Sequence, residues 1–241
     1  MTTRAADNGS EEVKQCCAQL YESDVARLLL GDSFHPGGLK LTERLGSFLH
    51  LTAASRVLDV ASGTGASALF LARRFGCRVV GVDFSRQSVA QGNEIAASEG
   101  LAASVQFQHS DAERMIFADA CFDAVICECA FCTFPDKRAA AREFARVLRS
   151  GGMVGMSDLT RSQALDERLR GLLAWVACIA DAQTTDHYAE FLQSANLRVG
   201  TVESHDDALI EMTHQIQMRL LGAELMVGLK KLQLPAVDFR A

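Results

Sequence analysis

The central part of the chain alternates short apolar segments with longer segments of helical periodicity. Helical spacing of apolar residues predicts helices over 67–75, 86–99 and 136–149. The apolar segments between them predict five strands: RVLDV (56–60), CRVVGVD (77–83), SVQFQ (104–108), FDAVICE (122–128) and MVGMSD (153–158). Because the strands are largely apolar and alternate with helices, we predict an α/β fold with a doubly wound, mostly parallel sheet covered on both faces.

Amphipathic patterns predict further helices on both sides of this central part. A polar tail (1–10) precedes predicted helices over 11–30 and 39–51, and predicted helices over 163–180, 187–194 and 207–231 surround a sixth strand, LRVGTVE (197–203). No later segment has the pattern of a seventh strand. We expect a single domain over 1–241, with an N-terminal helical lid (1–51), a ligand-binding core (52–160) and an acceptor-side and C-terminal segment (161–241).

Composition and charge narrow the classes of partner. The 241 residues are 49% hydrophobic and carry a formal net charge of −6, without a block of Lys or Arg. A nucleic acid or an anionic membrane surface requires a basic patch, so neither is an expected partner. The polar N-terminus does not resemble a signal peptide, and no apolar run is long enough to span a bilayer. We therefore expect a cytoplasmic protein that acts on a small molecule.

A glycine-rich turn follows the first predicted strand, in the order Asp59-Val60-Ala61-Ser62-Gly63-Thr64-Gly65. The glycines allow the backbone to turn tightly and to approach a ligand, although such a turn is also found in dinucleotide-binding proteins. Asp83 ends the second strand, where a carboxylate can accept hydrogen bonds from both ribose hydroxyls. A carboxylate at Asp59 would repel a pyrophosphate but attract a sulfonium and an α-amino group. The charge pattern therefore favours S-adenosylmethionine (SAM) over NAD.

The ordered motifs resemble those of class I SAM-dependent methyltransferases, which have a Rossmann-like fold. The matching segments are VLDVASGTG, VVGVDFS, HSDAERMIF and the stretch from FDAVICE to GMSDL, within residues 40–205. The resemblance implies that SAM is the cofactor, with Asp59, Gly63 and Gly65 around its methionine part, Asp83 at the ribose, and Asp111 with Ala112 at the adenine. We assign the neighbouring Ala61, Phe84 and Cys127 to the same site. This family usually has a seventh strand, which this sequence does not predict.

Eight cysteines suggest a more specific acceptor. The stretch around Cys127-Glu128-Cys129 is similar to the corresponding part of arsenite methyltransferases, which hold trivalent arsenic with a cysteine at the position of Cys129. The resemblance implies a second arsenic ligand at Cys178, and Cys16 or Cys17 is a possible third. Thiolates are preferred ligands of a soft ion, and methyl transfer to an arsenic lone pair needs no general base. We therefore predict Cys129, Cys178 and Cys17 as catalytic residues, and no resident metal site.

Several alternatives remain open at this level. The acceptor could be a quinone or another small metabolite that is methylated on carbon or oxygen. The protein could also be a non-catalytic sensor that binds SAM or a metalloid, and an NAD-dependent dehydrogenase is disfavoured by Asp59. His35, in the segment FHPGG (34–38), could act as a base, order the lid or simply complete a turn.

Overall fold

A computed structural model describes residues 3–23, 28, 35–162 and 181–228. Its strands are β1 (Arg56–Val60), β2 (Arg78–Asp83), β3 (Val105–His109), β4 (Phe122–Glu128) and β5 (Leu148–Ser157). Its helices are α1 (Thr3–Tyr21), α2 (Gly38–Phe48), α3 (Ala66–Phe75), α4 (Arg86–Ser98), α5 (Lys137–Val147), α6 (Thr185–Ser194) and α7 (Asp206–Gly228), with a 3₁₀ turn at Phe131–Thr133. The predicted alternation of strands and helices is confirmed from β1 to β5.

The five strands form one sheet in the order β3-β2-β1-β4-β5, and every pair of neighbours is parallel. The chain therefore moves outwards from β1 in one direction to β3, and then crosses back to place β4 on the other side of β1. Ligands of such sheets bind beyond the carboxyl ends of the strands, at the point where the strand order reverses. Here that point lies between β1 and β4.

The sheet has a buried core on each face. Side chains of Leu58, Val60 and Val125 belong to one cluster, whereas Val57 and Ile126, the neighbours of Leu58 and Val125, belong to the other. This division follows from the two-residue repeat of a strand, which points successive side chains to opposite faces. Burial on both faces explains why β1 and β4 are mainly apolar rather than alternating.

Three sequence predictions differ from the structure. The predicted sixth strand at 197–203 is not a strand: Val202 is 60% exposed, and Glu203 pairs with Arg44 of α2 through two 2.5 Å hydrogen bonds. This ion pair holds the segment beside α2, away from a strand partner. The predicted polar tail is also wrong, since α1 begins at Thr3, and α1 ends at Tyr21 rather than at residue 30. The predicted helix over 163–180 lies outside the described residues.

None of the helices in the described part of the chain is both long enough and apolar enough to cross a membrane.

Candidate active site

A cavity of about 180 Å³ opens at the carboxyl ends of β1, β2 and β4. Its walls come from the turn after β1, the ends of β2 and β4, the segment 110–112 and one face of α1. This is the place that the strand order predicts. Among the predicted site residues, the cavity is lined by Cys17, Asp59, Ala61, Gly63, Asp83, Phe84, Asp111, Ala112 and Cys129.

Asp59 presents a buried carboxylate to this cavity. The residue is 2% exposed, and its Oδ2 atom has no hydrogen-bond partner among the described residues. Burial raises the pKa of Asp59 well above its ordinary value, and the negative charges of Glu128 and Asp83 raise it further. An unpaired carboxylate oxygen in such a place is costly unless a ligand supplies a cation or a donor.

Asp83 is held in a fixed orientation by the backbone around it. Its Oδ2 accepts a hydrogen bond from the N–H of Gly63 at 2.8 Å, and its Oδ1 accepts one from the N–H of Ser85 at 2.8 Å. Burial raises the pKa of Asp83, although these two hydrogen bonds oppose the shift. Each carboxylate oxygen keeps a second lone pair that can accept a hydrogen bond from a ligand hydroxyl.

Gly65 and Cys127, both assigned to the cofactor site from the sequence, do not line the cavity in the described structure. Gly65 instead makes room for Phe107 of β3, whose ring would lie 2.1 Å from a Cβ atom at this position. Cys127 is fully buried in the same cluster as Val125, on one face of the sheet. Burial raises the pKa of Cys127 well above its ordinary value, so its thiol stays neutral. The two residues therefore support the site by packing.

Helix α1, which belongs to the predicted N-terminal lid, covers one side of the cavity. Lys14, Cys17, Ala18 and Tyr21 line it, and their spacing places them on one helical face. Lys14 Nζ lies 2.8 Å from Asp111 Oδ2 and 2.5 Å from Glu113 Oε2. Burial lowers the pKa of Lys14, but the hydrogen bonds and charges of the two carboxylates outweigh this and raise it above the ordinary value.

A second contact is made just beyond the C-terminal end of α1. Glu22, just beyond α1, accepts a hydrogen bond from the Ser85 hydroxyl, which also accepts the Ser88 N–H at the start of α4. The two contacts thus join α1 and the residue after it to the segments that follow β3 and β2. Lys14 was not among the site residues predicted from the sequence. A lysine on the apolar face of an amphipathic helix nevertheless indicates that its charge is paired with a partner.

At the end of β4, Glu128 and His35 meet two hydroxyl groups that the sequence motifs did not predict. Glu128 accepts hydrogen bonds from the hydroxyls of Thr42 (3.0 Å) and Ser67 (2.6 Å), and its side chain is only 4% exposed. His35 lies beside it, with Nε2 3.7 Å from Glu128 Oε2. Both His35 and Glu128 line the cavity. The four residues come from four separate segments, so only the fold reveals the group.

The predicted arsenic ligands are only partly brought together. Cys17 and Cys129 line the cavity, whereas Cys16 does not appear in its described lining, and Cys178 lies outside the described residues. Within 3–23, 28, 35–162 and 181–228, no three His, Cys, Asp or Glu side chains are grouped closely enough to hold a metal ion. A three-cysteine arsenic site is therefore not found in this part of the chain.

The backbone at Cys129 is unusual for its residue type. Its φ angle of 51° lies in the left-handed region, which non-glycine residues rarely adopt. The N–H of Cys129 donates to the Ser157 carbonyl at 2.7 Å, which fixes the chain as it leaves β4. Buried Lys137 holds the following segment by donating to the carbonyls of Cys132 (2.8 Å) and Phe134 (3.0 Å). The acceptor side of the cavity thus has a well-supported wall.

Comparison with known proteins defines the class of this domain. Residues 57–152 match the family model described as a methyltransferase domain. Methyltransferase GfsG of Streptomyces halstedii is 31% identical over 169 residues, which cover 69% of this chain and 61% of that protein. The 27-O-demethylrifamycin SV methyltransferase of Amycolatopsis mediterranei (strain S699) is 30% identical over 170 residues, covering 68% of this chain and 61% of that protein. The chain thus spans less than two thirds of the length of these relatives.

A solved structure supports the same fold. Phosphoethanolamine N-methyltransferase 2 of Haemonchus contortus, in complex with S-adenosyl-L-methionine, is 20% identical, with a TM-score of 0.77 over 92% of this chain and 52% of that chain. Residues 57–152 thus match a methyltransferase domain, and the chain has the Rossmann-like methyltransferase fold that its motifs predict. Neither of the two curated relatives is named for an arsenic substrate, so the more specific resemblance to arsenite methyltransferases is not confirmed.

Proposed function

We propose that this protein is a SAM-dependent methyltransferase that acts on a small organic acceptor. The observation that carries the proposal is the buried Asp59 carboxylate, which lines the cavity and whose Oδ2 has no hydrogen-bond partner among the described residues. A cationic ligand would pair with this oxygen, and the α-amino group and sulfonium of SAM supply that charge. The phosphates of a dinucleotide would instead be repelled by the carboxylates of Asp59 and Glu128.

The other cavity residues fit the remaining parts of SAM. Asp83 is oriented for the ribose hydroxyls, Gly63 exposes backbone to the cavity, and Asp111 with Ala112 can bind the adenine. When bound, SAM supplies an electrophilic methyl group on a sulfonium. The protein contributes mainly position, because the nucleophile must lie about 3–3.5 Å from the methyl carbon in line with the breaking bond.

The acceptor would enter on the side of His35, Glu128 and Cys129. Phe134 and Thr133 also line this side, so it offers both apolar and polar surface. The name of the rifamycin relative describes methyl transfer to an oxygen of a small organic compound, which supports an acceptor of this kind. We therefore favour methyl transfer to a carbon or an oxygen atom over methyl transfer to arsenic.

Trivalent arsenic is the second candidate acceptor. The observation that favours it is the placement of Cys17 and Cys129 in the walls of one cavity. Two thiolates would be suitable ligands for a soft ion. Loss of methyl transfer to arsenite in Cys129→Ser, with transfer retained in Cys77→Ser, would support this candidate, since Cys77 is fully buried elsewhere in the core.

Binding of SAM tests the proposal directly. We expect calorimetry to detect SAM binding to the wild-type protein and a loss of at least about 100-fold in affinity for Asp59→Asn, because the variant loses a charge-assisted contact. The control is Asp207→Asn, on the exposed side of α7. Methyl transfer from labelled SAM would then be screened with phenols, quinols and arsenite. Failure to bind SAM at millimolar concentration would refute the proposal, whereas binding without any transfer would favour a sensor.

A further inference from the structure

His35 is a buried histidine with one uncommitted ring nitrogen. Its side chain is 8% exposed, and Nε2 has no hydrogen-bond partner among the described residues. Nδ1 lies 3.3 Å from the carbonyl oxygen of Pro36. A carbonyl oxygen can only accept, so this contact places the hydrogen on Nδ1 and leaves a lone pair on Nε2. His35 lines the cavity, although Nε2 itself is buried, so the ring belongs to the candidate site.

Glu128 is placed to support a positive charge on this ring. Its Oε2 is 3.7 Å from His35 Nε2, and its carboxylate is oriented by the hydroxyls of Thr42 and Ser67. Thr42 and Ser67 come from α2 and α3, so the orientation of Glu128 does not depend on α1. A fixed carboxylate beside an imidazole offsets the positive charge that the ring gains when it accepts a proton. The pair therefore has the parts of a general base: a nitrogen that accepts a proton and a charge that stabilises the product.

We propose that His35 is the catalytic base for a hydroxyl acceptor, with Glu128 as its positioning residue; this inference rests on the proposed SAM-dependent function. In the step, the acceptor O–H bond breaks and its proton moves to His35 Nε2. The oxygen electron pair forms the new C–O bond to the methyl group, while the S–CH₃ bond breaks and leaves its pair on sulfur. The sulfonium becomes a neutral thioether and the imidazole becomes an imidazolium beside Glu128, so the total charge is unchanged. The proton later leaves to water.

This assignment selects a class of acceptor. An arsenic lone pair carries no proton and needs no base, whereas a neutral hydroxyl is a poor nucleophile until its proton is removed. A base at the acceptor side therefore favours an alcohol or a phenol that is not already ionised. An acidic phenol, which is ionised at neutral pH, would bypass the need for His35.

The experiment compares two acceptors in His35→Gln, with unsubstituted phenol and 4-nitrophenol as the probes. We expect kcat for phenol to fall by about 100-fold or more, the ordinary contribution of general base catalysis. We expect kcat for 4-nitrophenol to fall less than about 10-fold, and the Kd for SAM to stay within about threefold of wild type. The matched control is His187→Gln, an exposed histidine in α6, which should leave both rates unchanged.

Chemical rescue gives a second readout. Methyl transfer to phenol should be lost in His35→Ala and restored in part when imidazole is added, whereas a purely structural role of His35 would not be rescued in this way. Asp59→Asn cannot serve as a control because it belongs to the SAM site.

The outcomes separate this inference from the function on which it rests. No SAM binding in the wild-type protein would refute the proposed function itself. SAM binding with equal losses for phenol and 4-nitrophenol, or with a raised Kd for SAM in His35→Gln, would show that His35 positions ligands and is not the base. Methyl transfer to arsenite but to neither phenol would overturn the hydroxyl assignment and leave SAM dependence intact.

Discussion

Gly63 and Gly65 stand two residues apart in one turn, but they have different physical tasks. A Cβ at Gly63 would have no atom within 4 Å, and the Gly63 N–H orients Asp83. A Cβ at Gly65 would lie 2.1 Å from the Phe107 ring. Both have positive φ angles, of 54° and 93° respectively, which an alanine adopts only at a cost of about 1 kcal/mol or more. Glycine is needed at one position for the ligand and at the other for the core.

Alanine substitutions should separate these two tasks. Gly65→Ala should lower the free energy of unfolding by about 2–4 kcal/mol, because overpacking against Phe107 adds to the backbone strain. Gly63→Ala should lower it by about 1 kcal/mol but weaken SAM binding about tenfold or more. Urea denaturation and calorimetry measure the two effects. Equal loss of stability in both variants would contradict the different packing of the two positions.

Asp59 gives a prediction about pH. A pKa raised by folding means that the folded state binds the proton more tightly than the unfolded state, so the stability of the unliganded protein falls as pH rises from about 4 through the raised pKa. The Asp59→Asn substitution removes this loss of stability, because asparagine does not ionise. We therefore expect the variant to be more stable than wild type at neutral pH without SAM, and the difference to shrink in acid.

Denaturant unfolding between pH 4 and 8 measures this difference. The comparison isolates Asp59, because Asp83, whose pKa is also raised, is present in both proteins. A variant that is less stable than wild type at neutral pH in the absence of ligand would show that Asp59 has a stabilising partner in the folded protein.

At the level of helices and strands, α1 lines the cavity, and Lys14 joins it to Asp111 and Glu113. Lys14→Met keeps the length of the side chain but removes the charge. We expect the α1 amides of the variant to exchange hydrogen at least about fivefold faster, and SAM to bind about three- to tenfold more weakly. Hydrogen exchange and calorimetry measure these effects, with Lys40→Met, an exposed lysine of α2, as the control. Unchanged exchange would mean that other contacts hold the lid.

The sequence predicts the elements of this protein best where one chemical pattern determines one local structure. Strands β1 to β4 are predicted almost to the residue, because β1 and β4 are buried on both faces and mainly apolar, whereas β3 alternates apolar and polar residues. The segment 197–203 has a strand-like pattern, but its ion pair with Arg44 depends on a residue more than 150 positions away. A sequence pattern does not contain such a contact.

The same limit applies to the candidate site. The Asp59, Gly63 and Asp83 positions follow from motifs, because strand ends and glycine turns are local features. Thr42, Ser67 and His35 meet Glu128 only through the fold, since they lie 61 to 93 residues from it along the chain. Lys14 likewise reaches Asp111 across 97 positions. Motifs therefore predicted the cavity residues at the ends of β1 and β2 and missed most of the polar contacts made by α1 and by the end of β4.

For the whole molecule, negative charge is concentrated at one end of the sheet. Asp59, Asp83, Asp111 and Glu128 all line one cavity in a chain whose net charge is −6. Only Asp111 is neutralised there by a lysine of the lid. Crowded carboxylates raise the free energy of the unliganded protein, so a cationic ligand relieves part of that cost when it binds.

This arrangement predicts a distinctive response of the entire fold to SAM. A ligand that binds only the folded state adds about 2.7 kcal/mol of stability at 100 times its Kd. We expect that gain for wild type and almost none for Asp59→Asn at the same SAM concentration. Exchange of the α1 amides should also slow, because α1 forms part of the cavity wall, whereas α7, which contributes none of the described lining, should not change. Equal slowing in both helices would indicate general tightening of the protein, and stabilisation of Asp59→Asn equal to that of wild type would show that SAM binds without this carboxylate.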